Sequence, residues 1–215
     1  MLEIGTTQLE YYKERTKSGQ YLWKYACVKA ACEWIAATHS IYSIGDYFAG
    51  FGIYAKVLRK IFPAARYVGY ELNTEVCKIF RKNCSGVPII QANAFTRSNY
   101  PEDLIICDAN KCTLRLLTVY TPILQARKIT LLTETGIFGL KLPSFQTCYS
   151  LQDATPEGYY KRYAQVLRKY SLYLRFVSYC RWCSILAISP AHGSLELHKA
   201  AKLTDPVWQR LLEIE

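Results

Sequence analysis

No stretch of this 215-residue chain stays apolar for the roughly 18–20 residues that a membrane-spanning helix needs. The N-terminal Met-Leu-Glu-Ile-Gly-Thr-Thr-Gln has neither a basic segment nor an apolar one, so no secretory leader is expected. Internal repeats, low-complexity tracts and linkers rich in Gly, Ser or Pro are absent, which leaves one domain over 1–215 as the expected organisation. Acid is scarce: 17 Asp+Glu stand against 27 Lys+Arg, a net charge of +10. The excess is uneven. Residues 41–100 hold eight bases against three acids and 161–215 nine against four, whereas 101–160 hold five against six. A basic surplus of this size points to a polyanionic partner, nucleic acid before membrane, and says nothing of fold. The nine cysteines are odd in number and scattered through apolar segments such as Ile105-Ile-Cys107. They read as buried, reduced thiols of a cytosol-like compartment rather than a disulfide framework.

What is present is alternation. Residues 8–16 form a short polar segment, and Tyr21 to His39 carries apolar residues at helical spacing. Strands are expected at Ile41–Asp46, Arg66–Glu71, Val87–Gln91, Asp103–Asp108 and Lys128–Glu134. Between them Ile53–Ile61, Thr74–Lys82 and Thr113–Ala126 read as helices. Short apolar strands separated by helices mean βαβ units and a parallel sheet covered on both faces. Beyond residue 136 a helix opened by Thr155-Pro156-Glu157, a strand pair at 171–177 and 184–189, and a short helix capped by Asp205-Pro206 complete the chain. The fold expected is α/β and doubly wound, with an antiparallel C-terminal strand pair.

One turn carries chemistry. Asp46-Tyr47-Phe48-Ala49-Gly50-Phe51-Gly52 falls where the first strand ends and a helix begins, where small residues let the backbone approach a ligand and the helix offers free N–H groups. Ligands of open α/β sheets sit at the carboxyl ends of the strands, and the next strand ends in Glu71, an acid placed to hold ribose hydroxyls. A dinucleotide site is disfavoured, because Gly-x-Gly-x-x-Gly is missing and position 55 is Ala.

Together these residues resemble the class I S-adenosylmethionine-dependent methyltransferases over about residues 41–135, with Asp46-x-Phe48-Ala49-Gly50-x-Gly52 similar to the first motif of their nucleic-acid-methylating branch. The resemblance implies a Rossmann-like, mainly parallel sheet of the seven-stranded type and S-adenosylmethionine as cofactor. It implies a helical extension at 1–40, a cofactor-binding core at 41–135, and substrate-side elements at 136–215. Asp46, Phe48, Ala49, Gly50 and Gly52 would wrap the methionine part of the cofactor and Glu71 its ribose. Leu72 would pack on the adenine, with Asn93 and Phe95 beside it. Asp108 and Asn110 occupy the fourth motif, next to the methyl group, and are the catalytic candidates.

The acceptor is less marked. The Asn/Asp-Pro-Pro-Tyr/Phe pattern that grips a flipped base is absent, as is any Pro-Cys nucleophile for pyrimidine C5. The order Lys24, Asp108, Lys141, Glu196 resembles the Lys-Asp-Lys-Glu arrangement of RNA 2′-hydroxyl methylation, although Lys24 and Glu196 read more simply as solvated charge. Tyr160, Lys161, Arg162, Arg168 and Lys169 interleave bases with aromatics and are the candidate nucleic-acid contacts. Cys180-x-x-Cys183 lies in an expected strand, where alternation would part the sulfurs, and with His192 and His198 its spacing is too short for a zinc finger. No metal is expected. The reading is a methyltransferase acting on DNA or RNA. The rivals are an inactive relative that binds nucleic acid or protein, and an enzyme for protein or small-molecule acceptors.

Overall fold

A computed structural model describes residues 4–17, 19–96, 99–111, 114, 117–124 and 129–213. The strands are β1 (Ser43–Asp46), β2 (Arg66–Glu71), β3 (Ile89–Gln91), β4 (Leu104–Lys111), β5 (Ile129–Glu134), β6 (Tyr173–Tyr179), β7 (Ser184–Ser189) and β8 (Glu196–Lys199). They form one sheet in the order β3-β2-β1-β4-β5-β7-β6-β8. β1 to β5 run parallel, and β7 is antiparallel to both β5 and β6. The helices are α1 (Ile4–Lys17), α2 (Gln20–Thr38), α3 (Ile53–Ile61), α4 (Thr74–Asn83), α5 (Leu117–Leu124), α6 (Pro143–Cys148), α7 (Pro156–Arg168) and α8 (Pro206–Leu211).

The period of two along the central strands builds both cores. Leu104 and Ile106 of β4 face one side with Leu131, Ile185 and Ala187, beneath α2, α3 and α8. Ile105 and Cys107 face the other with Leu132, Leu186 and Ile188, beneath α5 and α7. Fully burying a side chain of this size contributes about 1.5–3 kcal/mol, so both faces must be covered. Helix starts follow the caps in the sequence: Asn73 Oδ1 accepts the Glu75 and Val76 N–H groups, Thr155 Oγ1 that of Gly158, and Asp205 Oδ1 that of Val207.

The structure sharpens two expectations and corrects a third. The polar segment 8–16 belongs to α1, whose Tyr12 stacks on Tyr21 at 4.4 Å and donates to the Leu212 carbonyl. The sheet has eight strands, because β8 adds parallel to β6 at the edge, with all four residues exposed and little apolar pattern to announce it. Cys180 and Cys183 lie in the turn between β6 and β7 rather than in a strand, and their sulfurs are 4.0 Å apart.

Candidate functional site

Strand order reverses between β1 and β4, since β1 continues to β2 and β3 while β4 continues to β5. Crevices at such switch points take ligands at the carboxyl ends of the strands. The 46–52 turn is fixed over this crevice by its backbone. Tyr47 N donates to the Ile106 carbonyl at 2.9 Å and Ala49 N to the Tyr70 carbonyl at 3.1 Å, so the turn bridges β4 and β2. Gly52, the N-cap of α3, has φ of 86°, and a side chain there would meet Cys84 Sγ at 2.5 Å. Only glycine fits both the left-handed backbone and the space.

Glu71 closes the other side. Its carboxylate accepts Gly50 N at 3.2 Å and Asn73 N at 2.9 Å, which ties the end of β2 to the turn. Beside it Leu72 is 63% exposed, and Phe95 is 37% exposed with its ring 5.5 Å from Phe48 and 5.7 Å from Tyr120. Asn93 Oδ1 accepts Phe95 N at 3.0 Å and so sets the short 3₁₀ turn over 94–96.

At the end of β4 the register breaks between Cys107 and Lys111. Such irregularities commonly re-aim a side chain beside an active site. Here Asp108 follows the alternation of Leu104 and Ile106 toward α2, where its Oδ2 lies 2.7 Å from the Lys24 Nζ. Both side chains are nearly buried, and Asp108 Oδ1 is buried with no partner among the described residues. The rings of Tyr21, Tyr25 and Tyr54 surround the ammonium at 5.8–5.9 Å. Burial alone would lower the Lys24 pKa, but the Asp108 carboxylate outweighs it and raises it, so the lysine stays charged. Glu134, fully buried at the end of β5, accepts the backbone N–H of Gly136 and that of Leu114, joining the loops after β5 and β4.

No family model and no curated protein matches the sequence. Solved structures do. The ribosomal protein L11 methylase of Lactobacillus delbrueckii subsp. bulgaricus superposes with a TM-score of 0.52 at 16% identity, over 76% of this chain and 79% of that one. The plantazolicin methyltransferase BpumL with S-adenosylhomocysteine and a substrate analogue gives 0.53 at 13% identity, over 79% and 74%. A proposed RNA methyltransferase of Pyrococcus horikoshii gives 0.50 at 12% identity, over 75% and 82%. The chain has the class I S-adenosylmethionine-dependent methyltransferase fold.

In a methyltransferase fold the turn after β1 and the end of β4 are neighbours, and the structure brings Phe48, Gly50, Gly52, Glu71, Phe95 and Asp108 to one edge of the sheet accordingly. Asn110 lies on the same strand, with its side chain outside the described residues. Lys24 is the residue that sequence reasoning undervalued. It is buried against Asp108, 84 positions away, and is not solvated surface. Glu196 of the four-residue set does not join them. Glu196 is on β8, four strand positions from β4 and so about 19 Å across the sheet, where it accepts the Trp34 indole N–H. Lys141 is exposed at the end of the 136–141 turn.

The basic, tyrosine-rich segment divides. Tyr160 is fully buried between α7 and the sheet, beside Tyr159 and Tyr163, so it is core and offers no stacking platform. The bases lie on the opposite face because α7 is amphipathic. Lys161 and Arg168 line an open groove of about 680 Å³ with Gln165, Tyr173, His192 and Leu197. Arg162 Nε donates to the Tyr149 carbonyl at 3.2 Å, and Lys169 is exposed at the end of α7. Among the described residues no group of three or more His, Cys, Asp or Glu is arranged to hold a metal, and His192 packs on Tyr173 and His198 on Phe176.

Asp46 turns inward rather than toward the cofactor edge. It is fully buried and accepts the Tyr67 hydroxyl at 2.5 Å. Burial pushes its carboxyl up to about 7, partly offset by that hydrogen bond. An acid raised in the folded state contributes stability at low pH that is lost as pH rises through the folded value. From pH 5 to 7 the loss is about 2–3 kcal/mol at 1.36 kcal/mol per unit, and above that it levels off. Asp46→Asn keeps an acceptor for Tyr67 without the charge. Thermal melts are expected to show the wild type losing stability over that range relative to the variant.

Proposed function

We propose that this protein is an enzyme that transfers a methyl group from S-adenosylmethionine to a hydroxyl of a nucleic acid, with Asp108 and Lys24 at the acceptor. The observation that carries the reading is the buried Lys24–Asp108 pair beside the glycine turn, with one carboxylate oxygen left unpartnered among the described residues. The residues fit the cofactor. Leu72 and Phe95 expose apolar surface of the kind an adenine covers, Glu71 offers a carboxylate for ribose hydroxyls, and Gly50, where an added side chain would meet nothing closer than 3.8 Å, leaves room beside the methionine part. Bound there, S-adenosylmethionine supplies an already electrophilic methyl group, so the protein's task is alignment and proton management.

The acceptor O–H would donate to Asp108 Oδ1 and hand over its proton as the oxygen is methylated. The Lys24 ammonium lowers the cost of negative charge on that oxygen, and the tyrosine rings keep water from the pair. A ribose 2′-hydroxyl suits this arrangement better than a base amine, because the prolines and aromatic that hold a flipped base are missing after Asp108. Neighbours in the fold act on protein and small molecules too, so the acceptor class is tested directly. Labelled S-adenosylmethionine is incubated with RNA, DNA and a protein extract. Label in RNA, lost with Asp108→Ala, is the expected result, and label only in protein would overturn it.

The groove on α7 supports a polyanionic partner, because Lys161 and Arg168 are two turns apart on one stripe of the helix. Reversing both charges with Lys161→Glu and Arg168→Glu is expected to weaken single-stranded RNA binding at least tenfold. The slope of log affinity against log salt should fall by about 2. Fluorescence anisotropy at several salt concentrations reads both.

A further inference from the structure

Two thiols face each other in the β6–β7 turn, with Cys27 of α2 buried in the same core. Cys180 and Cys183 flank the turn, which is closed by the Cys180 N–H donating to the Cys183 carbonyl at 2.9 Å. Their sulfurs are 4.0 Å apart, and the Trp182 N–H donates to Cys180 Sγ at 3.4 Å. Cys27, on α2 one turn beyond Lys24, is fully buried in the same cluster. Other cysteines behave differently: Cys77 and Cys84 give their S–H groups to the carbonyls of Glu71 and Gly52.

We propose that Cys180 and Cys183 are a reversible disulfide site, in which Cys180 is the sulfur oxidised by a small peroxide and Cys183 the thiol that resolves it. The geometry separates the roles. Cys180 Sγ accepts the Trp182 N–H and faces Cys183 Sγ at 4.0 Å, whereas no backbone N–H reaches Cys183 Sγ among the described residues, an arrangement that favours the thiolate on Cys180. Those hydrogen bonds hold the Cys180 thiol well below its usual range, and donation to Cys180 pushes Cys183 up. All three cysteines are almost fully buried, so an oxidant not much larger than water is required, which excludes bulky disulfide reagents and suits a peroxide.

The chemistry balances. The Cys180 thiolate attacks a peroxide oxygen, the O–O bond breaks, and an alcohol or water leaves with a proton, giving a sulfenic acid. The Cys183 sulfur then attacks Cys180 Sγ. The S–S bond forms, the S–O bond breaks, and the hydroxyl leaves as water with the Cys183 proton. Two electrons have passed from the thiols to the peroxide, and a dithiol reverses the change by exchange. The sulfurs must close to about 2.05 Å, a movement a four-residue turn between two strands accommodates more readily than a helix or strand interior. The proposal does not rest on the methyl-transfer reading.

The test uses the reduced full-length protein, limiting hydrogen peroxide, and alkylation followed by peptide mass mapping. A Cys180–Cys183 linked peptide, lost on treatment with dithiothreitol, is the expected product. Cys148, which is exposed, reports that oxidant was delivered. Cys183→Ser should stop at a sulfenic acid on Cys180, trapped by dimedone, and Cys27→Ser should slow its formation several-fold. Oxidation of Cys148 with Cys180 and Cys183 still fully alkylated would overturn the proposal, as would a Cys27-linked product.

Discussion

Asp108→Ala is expected to abolish methyl transfer, by 10²-fold or more on the scale of general acid–base groups, while S-adenosylhomocysteine still binds. In the proposed mechanism the carboxylate serves the acceptor, and its contact is with Lys24 rather than with the glycine turn or Glu71, so kcat should fall and cofactor affinity should not. Lys24→Met is the complementary change. It leaves the Asp108 carboxylate buried without its ammonium, and breaking a buried pair from one side costs about 3–5 kcal/mol. Lys24→Met should therefore lose activity and melt early, whereas the double variant Lys24→Met/Asp108→Leu, which removes both charges, should regain most of the stability and none of the activity. A wild-type rate in Asp108→Ala would remove Asp108 from the chemistry.

Gly52→Ala is expected to be far more damaging than Gly50→Ala, although both glycines have positive φ. At Gly50 an added methyl group meets nothing closer than the Phe48 carbonyl at 3.8 Å, so only the left-handed backbone is penalised, by about 1 kcal/mol. At Gly52 the same penalty is joined by contacts at 2.5 Å with Cys84 Sγ and 3.1 Å with Phe80, both buried in the core. Overpacking of that kind adds about 1–3 kcal/mol and displaces the start of α3. Denaturant melts should separate the variants by at least 1 kcal/mol, and cofactor affinity should follow the same order. Equal losses would mean that backbone conformation alone explains the glycines.

Much of this arrangement was legible because it is local. The strand before Gly50, the acid ending the next strand and Asp108 are read in order along the chain, and the βαβ rule places them on one edge. What escaped is long-range or masked by competing signals. Lys24 and Asp108 share a set in the sequence only by resemblance, and a helical lysine reads as surface by default, so the burial of a pair 84 residues apart was not legible. Tyr160 sits among bases, and only the helical period separates its buried face from the exposed face of Lys161 and Arg168. β8 is exposed and short, so its strand character comes from pairing with β6 rather than from its own residues. The cysteine turn reads as strand because it is only four residues long and its Cys180, Trp182 and Cys183 are apolar like the strands on either side.

The most direct test of the central claim is calorimetry with S-adenosylmethionine and S-adenosylhomocysteine on the folded protein. One-to-one binding of both, weakened at least tenfold by Glu71→Ala and unchanged by Asp108→Ala, is the predicted result. A cooperative melt together with no heat from either ligand would contradict it.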